Sequence, residues 1–241
     1  MVESVTPTTP RPVRGSLLVQ RWEELAFLHW AVEPAAVAPF LPAGTVPDTL
    51  DGVTYVGLIA FRMAGVGFFR GPGVPYFGTF CETNVRVYSV DPAGRRGVVF
   101  LSLDAARLLP VLIARAGLSL PYMWSRMRLS RSGDVVRYTS RRLFSSAASE
   151  LSVRVGAPVA SPSPLEHFLS ARWALHTRAW GRTLHMPNDH PQWPLHRAEL
   201  LTLDDGLIAA TGLPPFTRPP DSVLYSPGVP VTFGAPDVVR A

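Results

Sequence analysis

The chain has 241 residues, a hydrophobic fraction of 47% and a mean hydropathy of +0.16, which allows a substantial buried core and excludes general disorder. Its net charge of +5 rests on 23 basic residues, every one an arginine, since the chain contains no lysine. These arginines are scattered and form no basic stripe or helix-turn-helix spacing, so no nucleic-acid partner is expected. The single cysteine, Cys81, rules out an intrachain disulfide and a cysteine-rich zinc site. With no apolar run long enough for a bilayer and no leader signal, the expected setting is cytoplasmic, without a membrane partner.

Residues 1–13 are rich in Thr and Pro and read as a flexible tail before a single domain over 14–241. Leu25–Val32 reads as a strand, and Pro34 opens a short helix that stops by Pro42-Ala43-Gly44. Asp51-Gly52 marks a tight turn into a strand from Val53 to Met63. Residues 65–78, glycine-rich with Phe68, Phe69, Tyr76 and Phe77, read as a loop. Thr79–Tyr88 and Gly97–Asp104 form a hairpin about Asp91–Arg96, and Ala105–Gly117 has helical spacing. Tyr122–Leu129 and Val135–Arg142 make a second hairpin, followed by a strand at Leu151–Val155 and a helix at Leu165–Ser170. A hairpin about Gly181, strands at Ala198–Thr202 and Leu207–Gly212, and a last pair at Val223–Tyr225 and Val229–Phe233 complete the chain. Many short strands, few helices and no repeat predict a mainly β protein built as an antiparallel barrel.

The first strand of the central hairpin carries the unusual pattern. Period-two alternation sets Glu82, Asn84, Arg86 and Tyr88 on one face, opposite Cys81, Thr83, Val85 and Val87. On the returning strand the same alternation groups Val98, Phe100, Ser102 and Asp104, so Glu82 and Asp104 are expected to meet across the hairpin. Such a face is either a solvated surface with an ordinary ion pair or the polar lining of a cavity.

Other chemistry is sparse. There is no nucleophile elbow, phosphate loop, dinucleotide fingerprint or zincin motif. His185, His190 and His196 lie close in sequence but at no metal-ligand spacing, and neither a metal nor a cofactor is expected. Cys81 reads as a packing residue, and His29, among apolar neighbours, as either a core histidine or a catalytic one.

Several strings together carry a family resemblance: Phe27-Leu28-His29-Trp30, Glu82-Thr83-Asn84-Val85-Arg86-Val87-Tyr88, Gly97 through Ala105, Leu120-Pro121-Tyr122-Met123, Trp193-Pro194-Leu195 and Tyr225 through Val231. They resemble the YqjF-like family of uncharacterised bacterial proteins, over about Gln20 to Pro236. That family is grouped by fold with acetoacetate decarboxylase, which implies a cone-like β-barrel with an internal pocket lined by the Glu82 face. The decarboxylases use a lysine Schiff base, and a lysine-free chain cannot form one.

The resemblance instead implies a pocket carboxylate, Glu82, and a cavity arginine, Arg86 or Arg62. The expected catalytic residues are Glu82, Arg86 and His29. Arg62, Asn84, Tyr88, Asp104, Tyr122 and Trp124 are expected to bind substrate. The reading is acid–base catalysis on a small carbonyl or carboxylate compound (isomerisation, dehydration or cyclisation, in secondary metabolism), by a protein able to form a homo-oligomer. The alternatives are a non-catalytic binder of small organic acids and a structural partner protein with a degenerate pocket.

Overall fold

The computed structural model describes residues 1–69, 71, 78–107 and 119–240. Its elements are β1 (Leu18–Val32), α1 (Pro34–Val37), β2 (Val46–Pro47), β3 (Thr54–Phe68), β4 (Phe80–Val90), β5 (Arg96–Ala105), β6 (Tyr122–Ser132), β7 (Val135–Arg142), β8 (Ala148–Pro158), α2 (Pro164–Ser170), β9 (Ala174–Ala179), β10 (Arg182–Asp189), β11 (His196–Asp205), β12 (Ser222–Phe233) and β13 (Asp237–Val238). No described helix is long and apolar enough to cross a membrane.

The strands join into one 13-stranded sheet that closes on itself twice. Pairing of β4 with β5 completes a nine-strand barrel, β5-β6-β7-β8-β11-β12-β1-β3-β4. Contacts of β9 with β5 and of β10 with β12 close a second, seven-strand ring through β12-β1-β3-β4-β5. Those five strands are therefore a wall shared by two compartments, and alternate side chains enter each. Ala26, Leu28, Val56, Leu58, Val85 and Val87 enter the nine-strand barrel, where they meet Val136, Tyr138, Leu151 and Val153. Phe27, Ile59, Phe61, Tyr88 and Leu103 enter the second compartment, with Phe168 and Leu169 of α2 and with Trp193. Burial on both faces explains why the first half of β3 reads as nearly unbroken apolar text, and makes the polar residues of β4 the exception on this wall.

Local chemistry sets the boundaries. At the Asp51-Gly52 turn φ is 52° and 85°, values glycine adopts freely and Asp tolerates, and Leu50 bridges Val53. Ser163 and Glu166 form a capping box at the start of α2, with Pro164 in its first turn. β1 is longer than its apolar core because it bends at a bulge near Glu24, whose φ is 53°.

Three expectations are corrected. The loop placed at residue 65 begins later, since β3 continues to Phe68. Leu207–Gly212 is a 3-10 turn rather than a strand: Asp205 accepts from the Ile208 N–H at 3.1 Å, and Gly212 closes the turn at φ 95°. The last two strands are one, β12, which passes through Gly228 at φ 122°. The helix expected over Ala105–Gly117 starts on the end of β5, and residues 108–118 lie outside the described residues. The first residues are tied to the body, Glu3 N–H to the Gly94 carbonyl at 2.9 Å and the Trp173 indole to the Thr6 carbonyl at 3.2 Å.

Candidate active site

The regular alternation of β4 delivers Glu82, Asn84, Arg86 and Tyr88 to the second compartment, all at most 7% exposed. His29 joins them from β1, because His29, Gly57 and Arg86 are cross-strand neighbours. Gly57 is required there: a Cβ would lie 2.9 Å from the His29 ring and 3.3 Å from Arg86 Cγ. Tyr122 enters from β6 opposite Leu103.

The buried carboxyl of Glu82 accepts from the Tyr122 hydroxyl at 2.9 Å, and the Asn84 side chain also bonds it. Burial pushes its pKa up to about 7, against the opposing hydrogen bonds from Tyr122 and Asn84 and with added repulsion from Asp104. No cation pairs with it among the described residues. Burial, then the charge of Glu82, holds Tyr122 well above the usual phenol range, so it remains a donor.

Arg86 makes no ion pair among the described residues. Among those residues its only hydrogen bond is a long 3.5 Å contact to the Leu169 carbonyl, and its Nε has no partner. It lies near the rings of Phe27 and Tyr88, at 5.7 and 5.8 Å. Tyr88 donates to the Leu169 carbonyl at 3.0 Å and also meets His29 Nε2 at 2.6 Å. A phenol has one proton, so His29 donates from Nε2 and its Nδ1 is a bare acceptor without a partner. Burial, then Arg86 and Arg172, keeps His29 neutral. Arg172, beyond α2, stacks on Tyr88 at 4.4 Å and pairs with Asp48, which also holds Arg96.

Three expected substrate contacts lie elsewhere. The register puts Ala105, not Asp104, opposite Glu82, because a bulge at Leu101–Ser102 turns both of those side chains to one face and reverses the alternation beyond them. Asp104 therefore faces the nine-strand barrel, where Ser102, Ser125 and Arg142 bond it. Arg62 faces away from Glu82 and pairs with Glu23 at 2.8 Å with its side chain 45% exposed. Trp124 packs on Phe144 in an outer cleft. The C-terminal histidines are dispersed. His185 packs on His176, His190 sits between Trp173 and Trp193, and His196 bonds the Gly156 carbonyl. No group of three or more His, Cys, Asp or Glu among the described residues is arranged to hold a metal.

Residues not singled out from sequence complete the site: Gly57, the Leu169 carbonyl, Arg172, and Trp22, whose buried indole N–H has no partner and which stacks on Trp193 at 5.9 Å. Only the Pro164 entry and capping box of α2 hinted that a helix would plug this compartment.

The architecture is that of the acetoacetate decarboxylase-like proteins. Superposition gives a TM-score of 0.66 with the enduracididine biosynthesis enzyme MppR complexed with pyruvate, at 15% identity over 96% of this chain and 93% of that one. It gives 0.64 with acetoacetate decarboxylase from Legionella pneumophila, at 15% identity and 96% and 92% coverage. An acetoacetate decarboxylase-like enzyme from Sphingomonas wittichii RW1 scores 0.63, at 13% identity and 97% of both chains. More narrowly, the chain belongs to the DUF2071 family, described as an uncharacterized conserved protein, which matches residues 19–230. The uncharacterized protein YqjF of Bacillus subtilis is 30% identical over 186 residues, 76% of each chain.

Proposed function

We propose that this protein is an enzyme acting on a small carbonyl-carboxylate compound by acid–base and electrostatic catalysis, without a Schiff base. The observation that carries this reading is the juxtaposition, on one face of β4, of a carboxyl near neutrality and a guanidinium, each without an ion pair among the described residues. Alternate residues on a strand stand roughly 7 Å apart, a span that matches a ligand whose carboxylate meets Arg86 and whose reacting carbon meets Glu82. With half its population ionised near pH 7, Glu82 is able both to accept and to return a proton. As base it takes a proton from the carbon beside the carbonyl, and the electron pair moves to the carbonyl oxygen as an enolate. Arg86 opposes that developing charge. Return of the proton to another carbon completes isomerisation; its delivery to a β-hydroxyl, which leaves as water while the enolate collapses to a double bond, completes dehydration; attack of the enolate carbon on a second carbonyl carbon of the same molecule, with the proton going to that carbonyl's oxygen, completes cyclisation. That one structural neighbour was solved with pyruvate supports a 2-oxo acid as the compound class.

A second reading, a non-catalytic carrier of organic acids, is favoured by the two hydrogen bonds that already occupy Glu82. Deuterium exchange at the methyl group of pyruvate and larger 2-oxo acids, followed by proton NMR in heavy water, separates the two. The enzyme reading expects exchange that drops at least about 100-fold in Glu82→Gln. Binding without exchange supports the carrier, and exchange undiminished in Glu82→Gln defeats the proposed role of Glu82.

A further inference from the structure

Away from the Glu82 compartment, a cleft of about 830 Å³ opens at one end of the nine-strand barrel, lined from β3 at Arg62, the start of β4, the residues after β5, β6 and the residues after β7. Its volume lies within the range of small-molecule sites, roughly 300–1,000 Å³. The walls are largely apolar. Trp124 and Phe144 lie with ring centres 6.2 Å apart, and Phe144 is 85% exposed, so its ring is open to a ligand.

The charge is one-sided. Arg62 (paired with Glu23), Arg107 and Arg126 line the cleft, and among the described residues no carboxylate side chain does. Arg126 has no ion pair among the described residues, and directly across from it on β7 stands Arg141, also exposed and also without one. Like charges set opposite one another across two strands repel, and the carboxylate of Glu150 on this face, across from Thr139, pairs with Arg137 instead. Arg126 is thus a cation with a preference for an added anion, beside an aromatic wall with a preference for an apolar body.

We propose that this cleft binds a small amphipathic carboxylate, its head on Arg126 and its body against Trp124 and Phe144. A strongly hydrated inorganic anion would leave the aromatic wall wet, and a cation would meet three guanidinium groups. Its lining is distinct from the candidate active site: Phe80 and Trp124 stand one alternation along from Glu82 and Tyr122, but none of Glu82, Arg86, His29 and Tyr122 lines the cleft.

The test titrates the full chain with octanoate, followed by tryptophan fluorescence and calorimetry, with octylamine and acetate as comparisons. Octanoate is expected to bind saturably at one site, and octylamine and acetate are not. Arg126→Glu and Phe144→Asp change exposed side chains that the fold does not need, and each is expected to weaken octanoate at least about tenfold. Glu82→Gln is expected to leave it unchanged. The proposal is overturned by absence of saturable octanoate binding, by octylamine binding as tightly, by binding that survives both cleft substitutions, or by loss of binding in Glu82→Gln.

Discussion

β4 and β5 carry two buried carboxylates, Glu82 and Asp104, 3% and 0% exposed, on opposite faces of the same wall. Asp104 has a guanidinium: Arg142 bonds it with two nitrogens at 2.9 and 3.0 Å, and Ser102 and Ser125 each donate at 2.7 Å. Glu82 has a phenol and an amide but no cation, and its proton affinity rises to about 7. Burial is common to both, so the placement of one guanidinium separates an ion-paired carboxylate from one held only by neutral donors. The second compartment does contain a guanidinium, Arg86, yet it stands two residues along the strand and bonds a backbone carbonyl instead. The protein thus has a matched ion pair on one side of the wall and an unmatched one on the other.

The strongest way to break this comparison is to unmatch the matched pair. Arg142→Met leaves Asp104 buried without its cation and is expected to cost about 3–5 kcal/mol of stability. Urea unfolding at pH 7 measures it, and a loss below about 1 kcal/mol would mean that water replaces the guanidinium freely.

The next largest effect belongs to Glu82 and depends on pH. Its folded pKa is about 7 against an ordinary 4.5, so between those values the folded state holds more protons than the unfolded chain. Its contribution to stability is therefore complete below about pH 4.5 and is lost as pH rises through about 7, a fall of about 3 kcal/mol. Glu82→Gln removes this slope and is expected to be more stable than the wild type at pH 8 while losing turnover. Parallel urea midpoints for the two proteins from pH 4.5 to 8 would remove the case for a buried, uncompensated acid.

Arg86→Met is smaller in energy and sharper in meaning. Removing an ion-pair-free buried charge is expected to leave stability unchanged or raise it by about 1 kcal/mol, with loss of 2-oxo acid binding. A loss of more than about 2 kcal/mol would show that Arg86 holds the fold rather than a ligand. Least of all, Tyr122→Phe deletes a hydrogen bond that restrains Glu82, and the alkaline-going limb of Glu82 titration is expected to move upward. Carbon NMR of the labelled carboxyl reads it directly, and a downward move would reverse the assigned role of Tyr122.

The sequence was most legible where the backbone is regular. Alternation along Thr79–Tyr88 located Glu82, Asn84, Arg86 and Tyr88 together because β4 has no irregularity between Phe80 and Val85 and its partner takes up the bulge. Asp104 was misplaced because the bulge at Leu101–Ser102 carries no glycine or proline to announce it. Leu207–Gly212 has strand-like residues, but the Asp205 side chain and Gly212 favour a turn that alternation does not register. Gly57 looked like any strand glycine, since its purpose depends on His29 and Arg86 from two other strands. The family resemblance made Arg62 a candidate cavity cation, and only the register shows it pointing the other way, toward Glu23.

The shared wall has one more consequence, in how the molecule breathes. Strands covered on both faces expose their amides to solvent exchange only when both compartments open together, whereas β6 and β7 carry one face in water. Amide protons of β3 and β4 should accordingly be among the last to exchange, and those of β6 and β7 should go earlier. Glu82, Asn84, Arg86 and Tyr88 all sit on that slow backbone, so their spacing persists through fluctuations that open the cleft beside Trp124 and Phe144.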